Sequence, residues 1–280
     1  MIWSALAASF ALASVQPEEP ATVWAVGDGA DGSAIARRLA RRIERSRPEA
    51  FLYLGDVYPG GTAEDYRRNW GPVYGPLDPI TWPTPGNHEW GAREQGYFAY
   101  WRNHGRAKPW YRFQVGGWEV LSLNSEAPHS PGSAQLRWLR RVLRQGDGDC
   151  RIAFWHRPRF SADSVHGDAP DIAPLWNALR GRARLVLNGH GHVMSRYRPR
   201  DGLTEYIAGT GGRVRYGLRP DPRAAFARSD RTGALRLELS PGRATLQFRA
   251  VNGELLDRSS GTCGKRTTTR FGSASAHHAH

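Results

Sequence analysis

This chain of 280 residues contains very little lysine and very little cysteine. Lys108 and Lys265 are the two lysines among 39 basic residues, so arginine carries nearly all of the positive charge. Cys150 and Cys263 are the two cysteines, and the absence of a Cys-x-x-Cys spacing excludes a zinc site built from cysteines. In an oxidising compartment these two cysteines would form a disulfide; two separate buried thiols are the alternative.

Long hydrophobic runs are missing as well. Residues 1–13 are uncharged and mostly apolar, a pattern that is typical of a signal peptide and too short to span a bilayer. We therefore predict a signal peptide with a short lead over residues 1–20, a secreted or periplasmic protein, and no membrane span in the mature chain. Residues 21–263 would form the folded domain, and the Thr-, Ser- and Arg-rich residues 264–280 a disordered tail.

Acidic residues are too few to balance the basic ones. The chain has 26 Asp and Glu against 39 Lys and Arg, a net charge of +13. Such a surface attracts anions, including phosphate esters, nucleic acid and anionic envelope polymers. The alternative explanation for the positive net charge is an arginine-rich genome composition. The arginine clusters within residues 37–42 and 137–144 have the spacing of solvated helix faces, without the interleaved aromatics of a nucleic-acid surface. We expect no obligate nucleic-acid partner.

Short apolar runs alternate with amphipathic stretches, a pattern that predicts a mixed α/β fold. The predicted strands cover residues 22–26, 50–54, 80–84, 118–123, 151–155, 184–187, 204–207, 234–239 and 244–251. The predicted helices cover residues 33–43, 133–143 and 174–179. The last three strands alternate apolar and polar residues, which suits half-buried antiparallel strands.

Five of these predicted strands end on side chains that bind metals or transfer protons. They are Asp28, Asp56, Asn87 with His88, His156, and His190 with His192. An isolated Gly-Asp or His is usually a turn or structural residue. The conformational preferences of turns do not explain why His or Asn-His recurs at several of these strand ends. Ligands of open α/β sheets bind where strands end, and carboxylate, amide and imidazole groups suit iron, manganese or zinc. His190 and His192 lie two residues apart in an extended segment and so face the same side.

The order and approximate spacing of these motifs resemble the calcineurin-like metallophosphoesterases, and within them the purple-acid-phosphatase-like branch with its small bacterial exported members. The motifs are Gly27-Asp28-Gly29, Gly55-Asp56, Gly86-Asn87-His88-Glu89, His156 and Gly189-His190-Gly191-His192. The resemblance implies a four-layer α-β-β-α sandwich of two mixed sheets with flanking helices. It also implies a dinuclear-metal hydrolase of phosphate esters, a phosphomonoesterase or phosphodiesterase, in which a metal-activated hydroxide attacks phosphorus.

The resemblance also assigns roles to the residues of the motifs. The implied ligands fall into two sets: Asp28, Asp56 and His192 for the first metal ion, and Asp56, Asn87, His156 and His190 for the second. Asp56 would bridge the two ions. His88 would lie beside the substrate and either stabilise the phosphoryl oxygens or protonate the leaving alkoxide, so that His88 and Asp56 are the predicted catalytic residues.

Two positions depart from the common pattern of the family. Ala30 stands where many members have a ligating His. The purple branch instead supplies a Tyr three residues after the bridging Asp, but here Tyr58 follows Asp56 by two residues. Tyr58 is therefore either a ligand of a ferric ion paired with zinc, manganese or iron, or a packing residue beside two divalent ions.

Substrate contacts are predicted at three further residues. The resemblance implies His166, ten residues after His156. Arg157 and Arg196 are candidate anchors because arginine forms bidentate contacts with phosphate; structural or surface arginines are the alternative. The expected partner is a small phosphate-ester substrate. The alternative function is a catalytically idle protein of this fold that binds nucleic acid or an anionic envelope polymer through its basic surface.

Overall fold

The computed structural model describes residues 19–146 and 148–264. The predicted signal peptide with its lead and the predicted tail fall outside these residues, apart from residues 19, 20 and 264, and both remain predictions. Among the described residues, no helix combines the length and the apolar composition that crossing a membrane requires.

The strands form two sheets and are numbered in chain order. They are β1 (Ala21–Val26), β2 (Ala50–Tyr53), β3 (Thr81–Pro83), β4 (Tyr111–Val115), β5 (Trp118–Ser122), β6 (Arg151–Phe154), β7 (Leu185–Asn188), β8 (Met194–Tyr197), β9 (Thr204–Ala208), β10 (Ala224–Arg228), β11 (Gly233–Ser240), β12 (Arg243–Ala250) and β13 (Leu255–Thr262). The first sheet has the order β13-β12-β11-β1-β2-β3, and the second has the order β10-β8-β9-β7-β6-β5-β4.

The helices lie in the connections between the strands. They are α1 (Ala34–Arg45), α2 (Ala63–Asp65), α3 (Gly71–Tyr74), α4 (Asn87–Trp90), α5 (Tyr97–Arg102), α6 (Ala134–Leu143) and α7 (Ala173–Leu179). A π-helical turn (Tyr66–Trp70) and two 3₁₀ turns (Gly75–Ile80 and Pro170–Ile172) adjoin them.

The two longest helices begin in the same way. The hydroxyl of Ser33 accepts a hydrogen bond from the backbone N–H of Ala36 at 3.2 Å, and Ser133 caps α6 through an equivalent bond. Such a cap satisfies one of the unpaired N–H groups in the first turn of a helix. In α1 the buried residues Ala36, Leu39 and Ile43 recur at helical spacing, so one face of the helix packs against the protein.

Three apolar cores separate four layers. The central core lies between the two sheets, where Val23 of β1 and Phe154 of β6 are fully buried. Helix α1 and the short helices within residues 63–102 pack on the outer face of the first sheet, over Phe51 and Tyr53. Helices α6 and α7 pack on the outer face of the second sheet. The layers are therefore α-β-β-α, and the predicted fold of two mixed sheets with flanking helices is confirmed.

Parallel pairing brings the carboxyl ends of several strands to one edge of each sheet. Strands β1, β2 and β3 run parallel in the first sheet, as do β5, β6, β7 and β9 in the second. The backbone joins the sheets at this edge: the N–H of Gly27, just after β1, donates to the carbonyl of Ala208 at the end of β9 at 2.9 Å. The loops that follow β1, β2, β3, β6 and β7 therefore meet in one region.

A disulfide provides a covalent link between the sheets. Cys150 lies just before β6 of the second sheet, Cys263 lies just after β13 of the first, and their sulfurs are bonded. The predicted disulfide is therefore present in the structure. The two cysteines are 113 residues apart in sequence, and a crosslink that closes so long a loop strongly restricts the unfolded chain.

We expect the double variant C150S/C263S to have a free energy of unfolding about 2–5 kcal/mol below that of the wild type, because its unfolded chain regains the freedom that the crosslink removes. Urea unfolding without reductant, followed by tryptophan fluorescence, measures this difference. Reductant should destabilise the wild type to the same extent and leave the double variant unchanged. Equal urea midpoints for the two proteins would contradict the expectation.

Candidate metal centre

The first cluster of predicted ligands surrounds the hydroxyl of Tyr58. This oxygen lies 3.1 Å from Asp28 Oδ1, 3.1 Å from Asp56 Oδ2 and 2.9 Å from His192 Nε2. Asp28 Oδ1 and His192 Nε2 are 3.3 Å apart. Side chains from the loops after β1, β2 and β7 thus bring four potential ligand atoms to one point.

The second cluster surrounds Nε2 of His156. This nitrogen lies 3.4 Å from Asp56 Oδ1, 3.1 Å from Asn87 Oδ1 and 3.2 Å from His190 Nδ1. Asp56 contributes to both clusters, with Oδ2 in the first and Oδ1 in the second. Its carboxylate therefore lies where a bridging ligand would lie.

Tyr58 reaches the first cluster although it follows Asp56 by two residues rather than three. The chain after β2 runs beside the loop after β1: Val57 forms a parallel bridge with Ala30, and the N–H of Tyr58 donates to the carbonyl of Ala30 at 2.9 Å. This pairing holds the side chain of Tyr58 against Asp28. The contacts favour the ligand alternative for Tyr58 over the packing alternative.

The two clusters bury acidic groups with little compensating charge. Asp28 and Asp56 are 0% and 2% exposed, and within residues 19–146 and 148–264 their charged partners are histidines rather than lysine or arginine. A buried carboxylate is costly unless a counter-charge lies close to it. Oxygen and imidazole donors suit cations such as iron, manganese and zinc, so the residues present fit two metal ions.

The protonation states of Asp56 and His156 depend on each other. Burial alone would raise the pKa of Asp56, but the His156 imidazole lowers that pKa below the usual carboxyl range. Burial lowers the pKa of His156, but Asp56 more than offsets this and raises it to about 10. His156 therefore keeps a proton beside Asp56 at neutral pH. A cation would displace that proton, because metal ligands bind in their deprotonated forms.

Unusual backbone conformations orient three of the predicted ligands. Asp28, Asp56 and His190 have φ angles of 59°, 73° and 65°, in the left-handed region that residues other than glycine rarely adopt. Such strain concentrates at functional sites, where the surrounding structure maintains it. Here the backbone N–H of His190 donates to Asp28 Oδ2 at 2.8 Å, and that of His88 donates to Asp56 Oδ1 at 3.1 Å.

Backbone carbonyls orient two of the histidines. Nδ1 of His156 donates to the carbonyl of Leu54 at 2.8 Å, and Nδ1 of His192 donates to the carbonyl of Val214 at 2.6 Å. Because a carbonyl can only accept, each Nδ1 carries a proton, and Nε2 is the nitrogen of each ring that would coordinate a cation. Histidines that bind metals commonly have such a partner on their other nitrogen.

Glu89 is part of the site, although the sequence analysis gave it no role. Its side chain is fully buried, and its Oε2 accepts hydrogen bonds from the backbone N–H groups of Asp56 at 3.1 Å and Gly86 at 3.2 Å. Glu89 therefore joins the loop after β2 to the loop after β3. Its position directly after Asn87 and His88 is the sequence signal that could have identified it.

The two histidines predicted to contact substrate lie beside the ligands. The side chain of His88 is 36% exposed, and its Nε2 lies 3.8 Å from Asp56 Oδ2. Nδ1 of His88 donates to the carbonyl of Pro59 at 2.6 Å, so Nε2 is the nitrogen that faces the clusters. His166 stacks on His190 with 4.0 Å between the ring centroids.

The two arginines predicted to anchor phosphate are paired with acidic residues. Nε of Arg157 lies 2.9 Å and 3.1 Å from the carboxylate oxygens of Glu126. Arg196 lies on β8 and forms a bidentate pair with Asp257 of β13, with bonds of 2.8 Å and 2.9 Å. This second pair links the two sheets and engages the guanidinium of Arg196, whose substrate contact stays a prediction. Arg157 lies next to a ligand, but Glu126 already neutralises its charge.

A loop of residues 211–217 completes the rim of the site, and the sequence analysis did not single it out. Tyr216 stacks on His192 with 4.0 Å between the ring centroids and 9° between the ring planes. The guanidinium of Arg213 lies 4.7 Å from the centre of the Tyr58 ring. These residues belong to no motif. The one local sign in the sequence is the Gly-Gly pair before Arg213, since glycines allow a loop to approach other backbone closely.

The model of the calcineurin-like phosphoesterase family matches residues 21–194 of this chain. The match covers more than half of the chain and includes every residue of the two clusters. The chain belongs to the calcineurin-like phosphoesterase family. The family that the sequence motifs resemble is therefore confirmed.

A curated relative connects the chain with the purple acid phosphatases. Probable purple acid phosphatase 20 of Arabidopsis thaliana is 26% identical over 96 residues, which are 31% of this chain and 22% of the relative. The match thus spans about a fifth of that relative's length. The predicted resemblance to purple acid phosphatases therefore has a counterpart in a curated protein over this part of the chain.

Solved structures of low sequence identity share the fold. GAP50, the anchor in the inner membrane complex of Plasmodium, has a TM-score of 0.73 at 14% identity, covering 90% of this chain and 91% of that one. The purple acid phosphatase PPD1 from yellow lupin has a TM-score of 0.72 at 16% identity, covering 88% and 54%. A dimetal phosphatase from Danio rerio has a TM-score of 0.60 at 15% identity, covering 88% and 99%. At these identities the likeness concerns the fold alone.

Close packing around Asp56 allows a test of this geometry. A Cβ atom at Gly86 would lie 2.1 Å from Asp56 Oδ1. We expect G86A to displace that carboxylate and to lower metal affinity by about 10- to 100-fold, as changes beside metal ligands commonly do. Elemental analysis after dialysis measures the loss. G91A is the matched control, since a Cβ atom at Gly91 meets no atom within 4 Å. Equal metal content in the two variants would contradict the expectation.

Proposed function

We propose that this protein is a dinuclear-metal hydrolase of phosphate esters, either a phosphomonoesterase or a phosphodiesterase. The observation that supports the proposal most directly is the division of the predicted ligands into two buried clusters that share Asp56. Membership of the calcineurin-like phosphoesterase family and the match to a purple acid phosphatase favour the same function. Small phosphate esters are the proposed substrates, and residues 21–263 form the proposed phosphoesterase domain.

The chemistry of the side chains favours different ions at the two clusters. Asp28, Asp56, Tyr58 and His192 would hold the first ion, and Asp56, Asn87, His156 and His190 the second. The first set contains two carboxylates and a phenol oxygen, hard donors that favour trivalent iron. The second set contains an amide oxygen and two imidazoles with one shared carboxylate, which suits divalent zinc, manganese or iron.

The residues of the chain position the reacting groups and transfer a proton. Two such ions would supply Lewis acidity toward the phosphoryl oxygens and a water acidic enough to attack phosphorus at neutral pH. Asp56, which Glu89 holds through its backbone, keeps the two ligand sets adjacent. The bond from His88 Nδ1 to the carbonyl of Pro59 orients the ring, so that a proton on Nε2 would be directed at the leaving alkoxide.

The rim of the site offers groups that would bind the ester. His166 stacks on His190, and the guanidinium of Arg213 adds a positive charge above the Tyr58 ring. A guanidinium can contact two phosphoryl oxygens at once. A cavity of about 520 Å³ beside Arg213 and Tyr216 is large enough for the alcohol part of a small ester. We therefore assign His166 and Arg213 to substrate binding.

We also propose that the protein is secreted or periplasmic. The disulfide between Cys150 and Cys263 is of a kind that persists in oxidising compartments and is rare in the cytosol. The composition of residues 1–13 is that of a signal peptide. The small bacterial exported members of the family remain the predicted subgroup.

Metal removal tests the proposed function. The purified protein should hold about two metal ions per chain and hydrolyse p-nitrophenyl phosphate or its diester, bis(p-nitrophenyl) phosphate. Chelation should abolish turnover, and iron with zinc or manganese should restore it. Elemental analysis and a panel of mono-, di- and triesters provide the measurements. A metal-free, inactive protein that binds DNA with a steep salt dependence would instead favour the idle polyanion-binding alternative.

The role of His88 can be separated from metal binding. We expect H88A to retain its metal ions and to have a kcat about 10²–10⁴-fold below that of the wild type, because it lacks the proton donor. Steady-state kinetics and elemental analysis measure the two properties. H104A is the control, since His104 contacts Asp78 and the rings of Tyr100 and Trp101. Wild-type turnover in H88A would remove His88 from the mechanism.

Arg213 should contribute to binding more than to the chemical step. We expect R213A to raise KM by about 10- to 100-fold, the effect of losing a hydrogen bond to a charged group, with a smaller change in kcat. R228A is the control, because Arg228 of β10 lies outside the cavity beside Arg213 and pairs with Asp230 through bonds of 2.5 Å and 3.0 Å. An unchanged KM in R213A, or the same increase in both variants, would contradict the assignment.

A further inference from the structure

A second cavity lies away from the metal centre, beside α1, and is here called the arginine cavity. Its volume is about 730 Å³, and six arginines line it: Arg38, Arg41, Arg42, Arg45, Arg236 and Arg249. Among the described residues, no Asp or Glu lines this cavity, and no residue of the two metal clusters does. Pockets of about 300–1,000 Å³ are the size that holds small molecules.

Helix α1 supplies four of the six arginines. Arg38, Arg41, Arg42 and Arg45 recur at positions i, i+3, i+4 and i+7, so neighbouring members lie close together on the helix surface. Like charges at such spacings repel each other. The spacing indicated a solvated helix face, and Arg38, Arg41 and Arg45 are indeed exposed. The structure adds that the four arginines line a concave site together with residues of the first sheet.

The first sheet supplies the other two arginines and holds them in place. Arg236 of β11 pairs in register with Trp24 of β1 and with Gln247 of β12. Nε and Nη2 of Arg249 donate to Gln247 Oε1 at 2.9 Å and 2.7 Å. Arg236 donates to Thr22 Oγ1 at 3.2 Å. The two guanidinium groups are therefore oriented by neighbouring polar side chains, which reduces the cost of ordering them around a ligand.

The positive charge of the arginine cavity is largely uncompensated. Arg236 pairs with Glu238, but the four arginines of α1 form no ion pair within the part of the chain that the structure describes. Nε of Arg42 is buried without a hydrogen-bond partner, and a Cβ atom at Gly253 would lie 2.5 Å from Arg42 Nη2. Buried donors without a partner are rare in proteins. An oxyanion in the cavity would provide the negative charge that these arginines lack.

We propose that the arginine cavity binds a small anion that carries several phosphate or sulfate groups. The number of arginines without an acidic partner suits several negative charges rather than one. Nucleic acid fits the cavity less well, because Trp24 is 2% exposed and offers no ring on which a base could stack. The site is separate from the metal clusters, so the proposal does not depend on the proposed hydrolase activity.

Isothermal titration of the full chain with myo-inositol hexasulfate tests the proposal, since this small polyvalent anion contains no phosphate ester. We expect R38Q/R41Q/R45Q to weaken binding by about 10- to 100-fold relative to the wild type. R140Q/R141Q/R144Q is the matched control, because it removes three exposed arginines from the end of the other long helix, and it should bind as the wild type does. Both variants should hydrolyse p-nitrophenyl phosphate at the wild-type rate.

The outcomes separate this cavity from other sources of anion binding. Equal affinities in the wild type and both variants would place the anion elsewhere, for example at the metal centre, and overturn the proposal. Equal weakening in both variants would show a response to overall charge and overturn it too. The proposal would also be overturned if short duplex DNA bound more tightly than the hexasulfate and if R38Q/R41Q/R45Q weakened that binding. In a parallel titration, tighter binding of myo-inositol hexakisphosphate would identify a phosphorylated ligand, and weaker binding a sulfated one.

Discussion

The carboxylate of Asp56 is buried between two groups of ligand atoms, and the rest of the site is arranged around it. Its oxygens face Tyr58 on one side and His156 on the other, in surroundings where a charged group needs nearby counter-charge. Parallel strands in both sheets deliver the partners of Asp56 to one edge of the fold. Left-handed conformations at Asp28, Asp56 and His190 cost about 1–3 kcal/mol each, and cation binding would offset that cost.

The strands that carry the predicted ligands could be identified from sequence because they are short apolar runs bounded by glycine and polar residues. The predicted strand over residues 22–26 corresponds to β1, and that over residues 151–155 corresponds to β6. The helices within residues 63–102 could not be identified, because helices of three to six residues are too short to show periodicity. Strand β8 was also not predicted; it has four residues and begins two residues after His192.

The residues proposed as ligands could be singled out from sequence because metal chemistry selects few side-chain types, whereas roles that depend on tertiary contacts could not. Tyr58 could be recognised as a neighbour of Asp28 only once the pairing of its loop with Ala30 was known. Glu89 acts on backbone N–H groups, and its position directly after Asn87 and His88 is the one sequence signal that points to it. Arg196 pairs with Asp257, 61 residues away, a contact that depends on the arrangement of the two sheets and that the local sequence does not show.

Anomalous X-ray diffraction from crystals of the metal-loaded protein would test the central claim most directly. The account predicts two anomalous peaks about 3.5–4 Å apart, one beside the hydroxyl of Tyr58 and one beside Nε2 of His156, with the carboxylate of Asp56 in contact with both. Data collected on either side of the iron absorption edge would assign iron to the first peak. A single peak in fully loaded crystals, or peaks bound by other side chains, would contradict a dinuclear centre at these clusters.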